Sequence, residues 1–220
     1  MSGAPVIRAS QRDRDRDRAA ALALYLLRAA QRDALARAIY DAAVASAQAA
    51  LDDATATLGM DGTSVSIPDA VLSTLATSAQ DSATSCVSTY NAAVSQEAAA
   101  FATDYTGPPE GLAAALRADL AQWADARAAW KAEQIAAYET ARGYAAGLDW
   151  LVNDLQSGTL ALPDGTQLTD LTVTVRPSFS SDDTCAEYAG QTYPLSDYDS
   201  LPAFPIHINC IHWRSLDAAG

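Results

Sequence analysis

Alanine is so frequent over the first 150 residues that the chain there has little alternative to helix, and the interruptions are few and sharp. Alanine loses no side-chain rotamer freedom in a helix, which makes it the strongest helix former. The breaks stand at Gly59-Met60-Asp61-Gly62 and at Gly107-Pro108-Pro109. Glycine ends a helix cheaply, and proline removes a backbone donor and clashes with the preceding turn. Three long helices are therefore predicted. The first runs from about Arg18 to Thr57, with Leu24, Leu27, Leu35, Ile39, Ala43, Ala47 and Leu51 recurring on one face. The second begins near Pro68-Asp69, where proline suits a first turn and aspartate favours the helix dipole, and continues to about Tyr105. Its many serines and threonines make it dependent on packing. The third spans about Glu110 to Leu155, with Leu112, Leu116, Leu120, Trp123, Trp130, Tyr138, Leu148, Val152 and Leu155 on or near one stripe. Gly143 and Gly147 lie inside it and are expected to kink or split it, each costing about 1 kcal/mol relative to alanine. Small alanine faces let helices approach closely, so an elongated bundle or hairpin follows.

Beyond Leu155 the vocabulary changes to Gly, Pro, Thr, Val and Asp, the residues of turns and short strands. Leu171–Arg176 alternates with period two and is predicted as a strand. Pro163-Asp164-Gly165-Thr166 between short apolar stretches predicts one hairpin, and Tyr188 to Tyr193 a second. The fold class is α+β: long alanine-rich helices in a hairpin or bundle, then a small C-terminal module of short antiparallel strands. The expected division is a helical region over 1–107, with a basic arm at 1–18 and two long helices. Residues 108–220 follow, with a helix at 110–155 and a β-hairpin module at 158–213.

With 27 acidic and 14 basic side chains among 220 residues the formal charge is -13, which argues against coating nucleic acid by phosphate neutralisation. The charge is uneven: residues 1–42 hold 8 arginines and 5 aspartates, and the remainder 6 basic and 22 acidic side chains. The alternating Arg12 to Arg18 stretch places opposite charges three apart, where they pair along a helix. On an acidic body, such an arm suggests that it meets something different from what the body meets. The apolar run Ala19–Leu27 is far short of the ~20 residues of a membrane span. Arginine alternating with aspartate before it is unlike the purely basic start of a signal peptide, so the chain reads as a cytosolic product with no membrane span.

Both histidines and two of the three cysteines fall between Cys185 and His212. Cys210 and His212 share a face if extended, His207 can reach the same point from the turn before, and Cys185 would arrive from the neighbouring hairpin. Two thiolates and two imidazoles make a good structural zinc site, one that adds folding energy to a thinly cored module. The alternative is simple packing, since cysteine is usually a small buried hydrophobe and histidine a hydrogen-bonded core residue. A Cys210 nucleophile with His207 or His212 as base is the enzymatic reading, a thiol- or metal-dependent, toxin-like module. The surrounding isoleucines look like packing, and no oxyanion loop, phosphate loop or dinucleotide fingerprint occurs, so no catalytic residue is assigned. Cys86, in the second helix, reads as a packing residue.

Two segments together resemble the phage Mu F-like head morphogenesis family, the minor head proteins of tailed phages. One is Ala132 to Arg142, with Ile135-Ala136 followed by Glu139-Thr140. The other is Ser181 to Tyr193 followed by Pro205-Ile206-His207-Ile208-Asn209-Cys210-Ile211-His212. By this resemblance Cys185 matches the family's second cysteine, Gly190 its glycine, and Pro205, His207, Asn209 and Cys210 its terminal motif. Asp182 stands where the first cysteine would be, Ile208 replaces a proline, and His212 replaces the last cysteine, which keeps a metal-capable donor. The resemblance covers roughly Glu110 to Trp213 and implies a low-copy virion protein, made in the host cytoplasm and placed at the portal vertex or capsid interior. It would associate with the portal, with capsid or scaffolding protein as a further contact, and assist head assembly and DNA ejection. A zinc-stabilised binding module is the reading left if the likeness is set aside.

Overall fold

The computed structural model describes residues 11–60, 65–163, 165–176, 183–206, 210 and 212–218, with the side chains of 11–30, 125–133 and 183–184 excepted. Three long helices dominate: α1 (Gln11–Thr57), α2 (Asp69–Asp104) and α3 (Leu112–Gln156). At 47 residues, α1 is about 70 Å long. It ends at Gly59, whose φ of 66° is open to glycine at no steric cost. A short 3-10 turn, Pro109–Gly111, leads into α3. The helices run up, down and up. Ala36 and Ile39 of α1 pack with Ala79 and Ala83 of α2, and Leu75 meets Ala43 and Ala47.

The α1–α3 contact explains the two glycines. The helices are parallel here, and a Cβ at Gly143 would overlap the carbonyl oxygen of Ala43 and stand 2.7 Å from its Cα. At Gly147 the same atom would overlap the carbonyl oxygen of Ala47. The helix is not split there, and α3 is continuous from Leu112 to Gln156. Glycine at four-residue spacing faces alanine at the same spacing, so two backbones approach where larger residues would hold them apart. Ser46 Oγ donates to Thr140 O across this seam at 2.8 Å.

The C-terminal part is a three-stranded antiparallel sheet in the order β2-β1-β3, from β1 (Leu171–Arg176), β2 (Thr192–Pro194) and β3 (Trp213–Ala218). Val173 pairs with Tyr193 on one side and Leu216 on the other. Its inner face, Leu171, Val173 and Leu216, joins Leu195 and Tyr198 against Leu51 and Ala54 of α1, Leu58 just after it, and Leu148, Leu151, Val152 and Leu155 of α3. One core therefore contains residues from both sides of position 107. The expected strand Leu171–Arg176 is present with those bounds. The expected hairpin around Pro163–Thr166 is not: Thr166 N bonds Pro163 O, but the flanks are irregular and a 3-10 turn, Leu168–Asp170. The span Tyr188 to Tyr193 is a turn followed by β2, whose partner is β1 and not an adjoining strand.

Candidate metal centre

Cys185 lies in a four-residue helix, α4 (Asp183–Ala186), which continues into turns: Tyr188 N bonds Cys185 O and Gln191 N bonds Tyr188 O. Gly190 closes this unit with φ 75°. Its N–H donates to Val175 O while Val175 N–H donates to Gln191 O, so the turn is stitched to the end of β1. The glycine that the sequence singled out thus fastens the turn after Cys185 to the end of β1. Cys210 and His212 approach from the other side. They do not lie within a strand, as expected, but just before β3. Even so, their donor atoms converge.

Cys185, Cys210 and His212 each offer a donor atom, and these atoms lie within 4.8 Å of one another. Cys210 Sγ is 3.7 Å from His212 Nδ1. Two such donors on a tetrahedral zinc, at about 2.3 Å for sulfur and 2.0–2.1 Å for nitrogen, would stand roughly 3.6 Å apart. The pair is therefore already at ligand spacing, with Nδ1 the donor facing the sulfur. The three residues are 1%, 4% and 0% exposed. Val175, Phe204, Tyr188, Tyr193 and Ile206 pack around the sulfurs, and the Phe204 ring lies 6.3 Å from the imidazole. Thiolate and imidazole donors suit zinc and other soft or borderline cations, not magnesium or calcium. His207 and Asn209, named from the sequence, lie outside the described residues, as does Asp182.

Glu139, the other motif residue, is not at this centre. It is buried on α3 within the bundle, where it accepts a hydrogen bond from Ser82 Oγ of α2 at 2.6 Å and pairs with Arg142 at 3.4 Å. It ties α2 to α3.

A second buried polar group was not foreseen from the sequence. Arg214 of β3 is 4% exposed, lies 4.0 Å over the Tyr198 ring and donates to Asp149 of α3, which also accepts from Tyr198 Oη. Burial, then the Asp149 carboxylate, raises the Tyr198 phenol well above its usual range. The alternation of Trp213 to Ala218 was the available signal, but an inward arginine breaks its apolar register. Beside the centre, a cleft of about 590 Å³ is lined by Ser46, Asp53, Thr140, Tyr144, Cys210 and Trp213, among others. Tyr144 Oη donates to Asp53 at 3.2 Å, and burial with that carboxylate pushes the phenol up to about 12.

Compared with protein-family models, curated proteins and solved structures, the chain matches none.

Proposed function

We propose that this chain is a structural minor head protein of a tailed bacteriophage, which associates with the portal and assists head assembly and genome ejection. Its C-terminal module would be pinned by a zinc ion held by Cys185, Cys210 and His212. The observation that carries the reading is the convergence of those three donors at one buried point, from segments that the sequence separates. That is what an architectural ion needs: soft donors, ligand spacing and exclusion of water. The likeness to Mu F-like proteins supplies the rest. The long helices and acidic body fit docking against a helical partner without adhesion to packed DNA, and the arginine-bearing arm is the segment suited to the genome.

The meeting of two sulfurs and one imidazole at ligand spacing favours architecture over a thiol-dependent enzyme, which needs one nucleophile beside one base. Metal analysis of the purified chain is the first test. About one zinc per chain, with a lower Tm on chelation, is the expected result; zinc below roughly one tenth of an equivalent overturns the metal reading. Coexpression with the portal protein of the same genome, followed by mass measurement, tests the partner, and a portal that purifies without this chain overturns the assignment.

A further inference from the structure

The sulfurs of Cys185 and Cys210 lie within 4.8 Å of each other, and both sit outside the long helices, Cys185 on a four-residue helix and Cys210 ahead of β3. A disulfide requires a sulfur separation of about 2.05 Å with Cβ atoms about 3.5–4.5 Å apart. The remaining gap is therefore no more than about 3 Å, a shift that a short turn can make without disturbing the bundle. The two sulfurs differ in access. Both pack in one cluster with Val175 and Phe204, but Cys210 also lines the 590 Å³ cleft, together with Thr140, Tyr144 and Trp213, and Cys185 does not. Cys86 is half-buried on α2 and belongs to neither group.

We propose that Cys185 and Cys210 are a redox-convertible pair: reduced, they hold the ion together with His212; oxidised by a small disulfide compound, they are joined to each other and the ion departs. Ion release rests on the metal reading above, whereas the disulfide does not. The Cys210 thiolate attacks one sulfur of the oxidant, forming a mixed disulfide and expelling one small thiolate. The Cys185 thiolate then attacks the Cys210 sulfur, closes the internal bond and expels the second. Two protein thiolates are oxidised, and one external disulfide is reduced to two thiolates, which take protons from solvent. The divalent ion, left with one neutral imidazole from this trio, leaves as the free cation. Either covalent or metal-bridged, α4 stays fastened to the chain ahead of β3, so the module keeps its shape in reducing and oxidising surroundings alike.

The test uses the full chain carrying Cys86→Ser, loaded with zinc and titrated with oxidised glutathione. Zinc release is followed by a metallochromic dye, thiols by alkylation and mass, and the crosslink by peptide mapping. The expected result is loss of both alkylatable thiols in step with release of the zinc, reversed by reductant plus zinc. A stable glutathione adduct on Cys210 with Cys185 still alkylatable overturns the proposal, as does a Cys185–Cys210 bond formed with zinc retained. A chain that never takes up zinc yet forms the crosslink overturns the metal reading and ion release, and upholds the pair. Should the Cys86→Ser chain fail to fold, the same map on the unsubstituted chain follows Cys86 on its own peptide.

Discussion

Arg214, Tyr198 and Asp149 show how a single polar group inside an apolar core decides pH behaviour. Both Tyr198 and Tyr144 have phenols raised above 10.0 by burial and a neighbouring carboxylate, so folding favours their neutral forms. That contribution is complete below the unfolded value near 10 and is lost as pH rises through the folded value, about 12 for Tyr144. Denaturant midpoints are therefore expected to fall between about pH 10 and 12, and Tyr144→Phe to flatten the fall; an unchanged slope in that variant would contradict it. At neutral pH the same variant should lose at most roughly 0.5–1.5 kcal/mol, the value of one hydrogen bond. Arg214→Met is a harsher change. It leaves Asp149, which is partly open to water, with Tyr198 alone and removes the cation from the ring, and urea melts should register a loss of about 1–3 kcal/mol. His212→Ala is expected to abolish zinc retention and lower Tm in the zinc-loaded protein, with little further effect once chelator is present.

At the scale of elements, the seam between α1 and α3 reverses an ordinary rule. Glycine to alanine in a helix interior normally stabilises by about 0.4–1 kcal/mol. At Gly143 and Gly147 the added methyl meets backbone, which cannot rotate away, so each substitution is expected to destabilise, by roughly 1–3 kcal/mol in a thermal or urea melt. A neutral or stabilising result would mean that the helices separate at no cost. Ser82→Ala should destabilise by about 1–3 kcal/mol, because it leaves one Glu139 oxygen without its α2 donor. These helices were legible in the sequence because alanine content and the Gly-Pro breaks are local signals. The role of the two glycines was not, because a close approach is a property of two segments and only one is visible at a time. The hairpin expected at Pro163–Thr166 failed for a related reason: Asp-Gly specifies a turn, but a strand also needs a partner, and β1 found its partners at Thr192–Pro194 and Trp213–Ala218. The meeting of Cys185, Cys210 and His212 was legible from residue type and spacing, while the elements that bring it about, the α4 turn stitched to β1 and the chain ahead of β3, were not, because they depend on pairing between distant segments.

On the scale of the whole molecule, the prediction concerns the arm. Deleting residues 1–18 removes five of the arginines and should leave portal association intact while abolishing any salt-sensitive retention of DNA. Filter binding across a salt series checks it, and unchanged retention in the truncated chain would refute the assignment of that role to the arm. The apolar floor under the sheet is supplied by Leu51, Leu148, Leu151 and Leu155, all from the long helices. Evolution cannot trade this C-terminal part as a cassette: a recombination joint placed after the helices would deliver strands and donors to a new host with nothing to fold upon. Exchange between genomes must carry the first and third helices along, and the two must travel as a matched set.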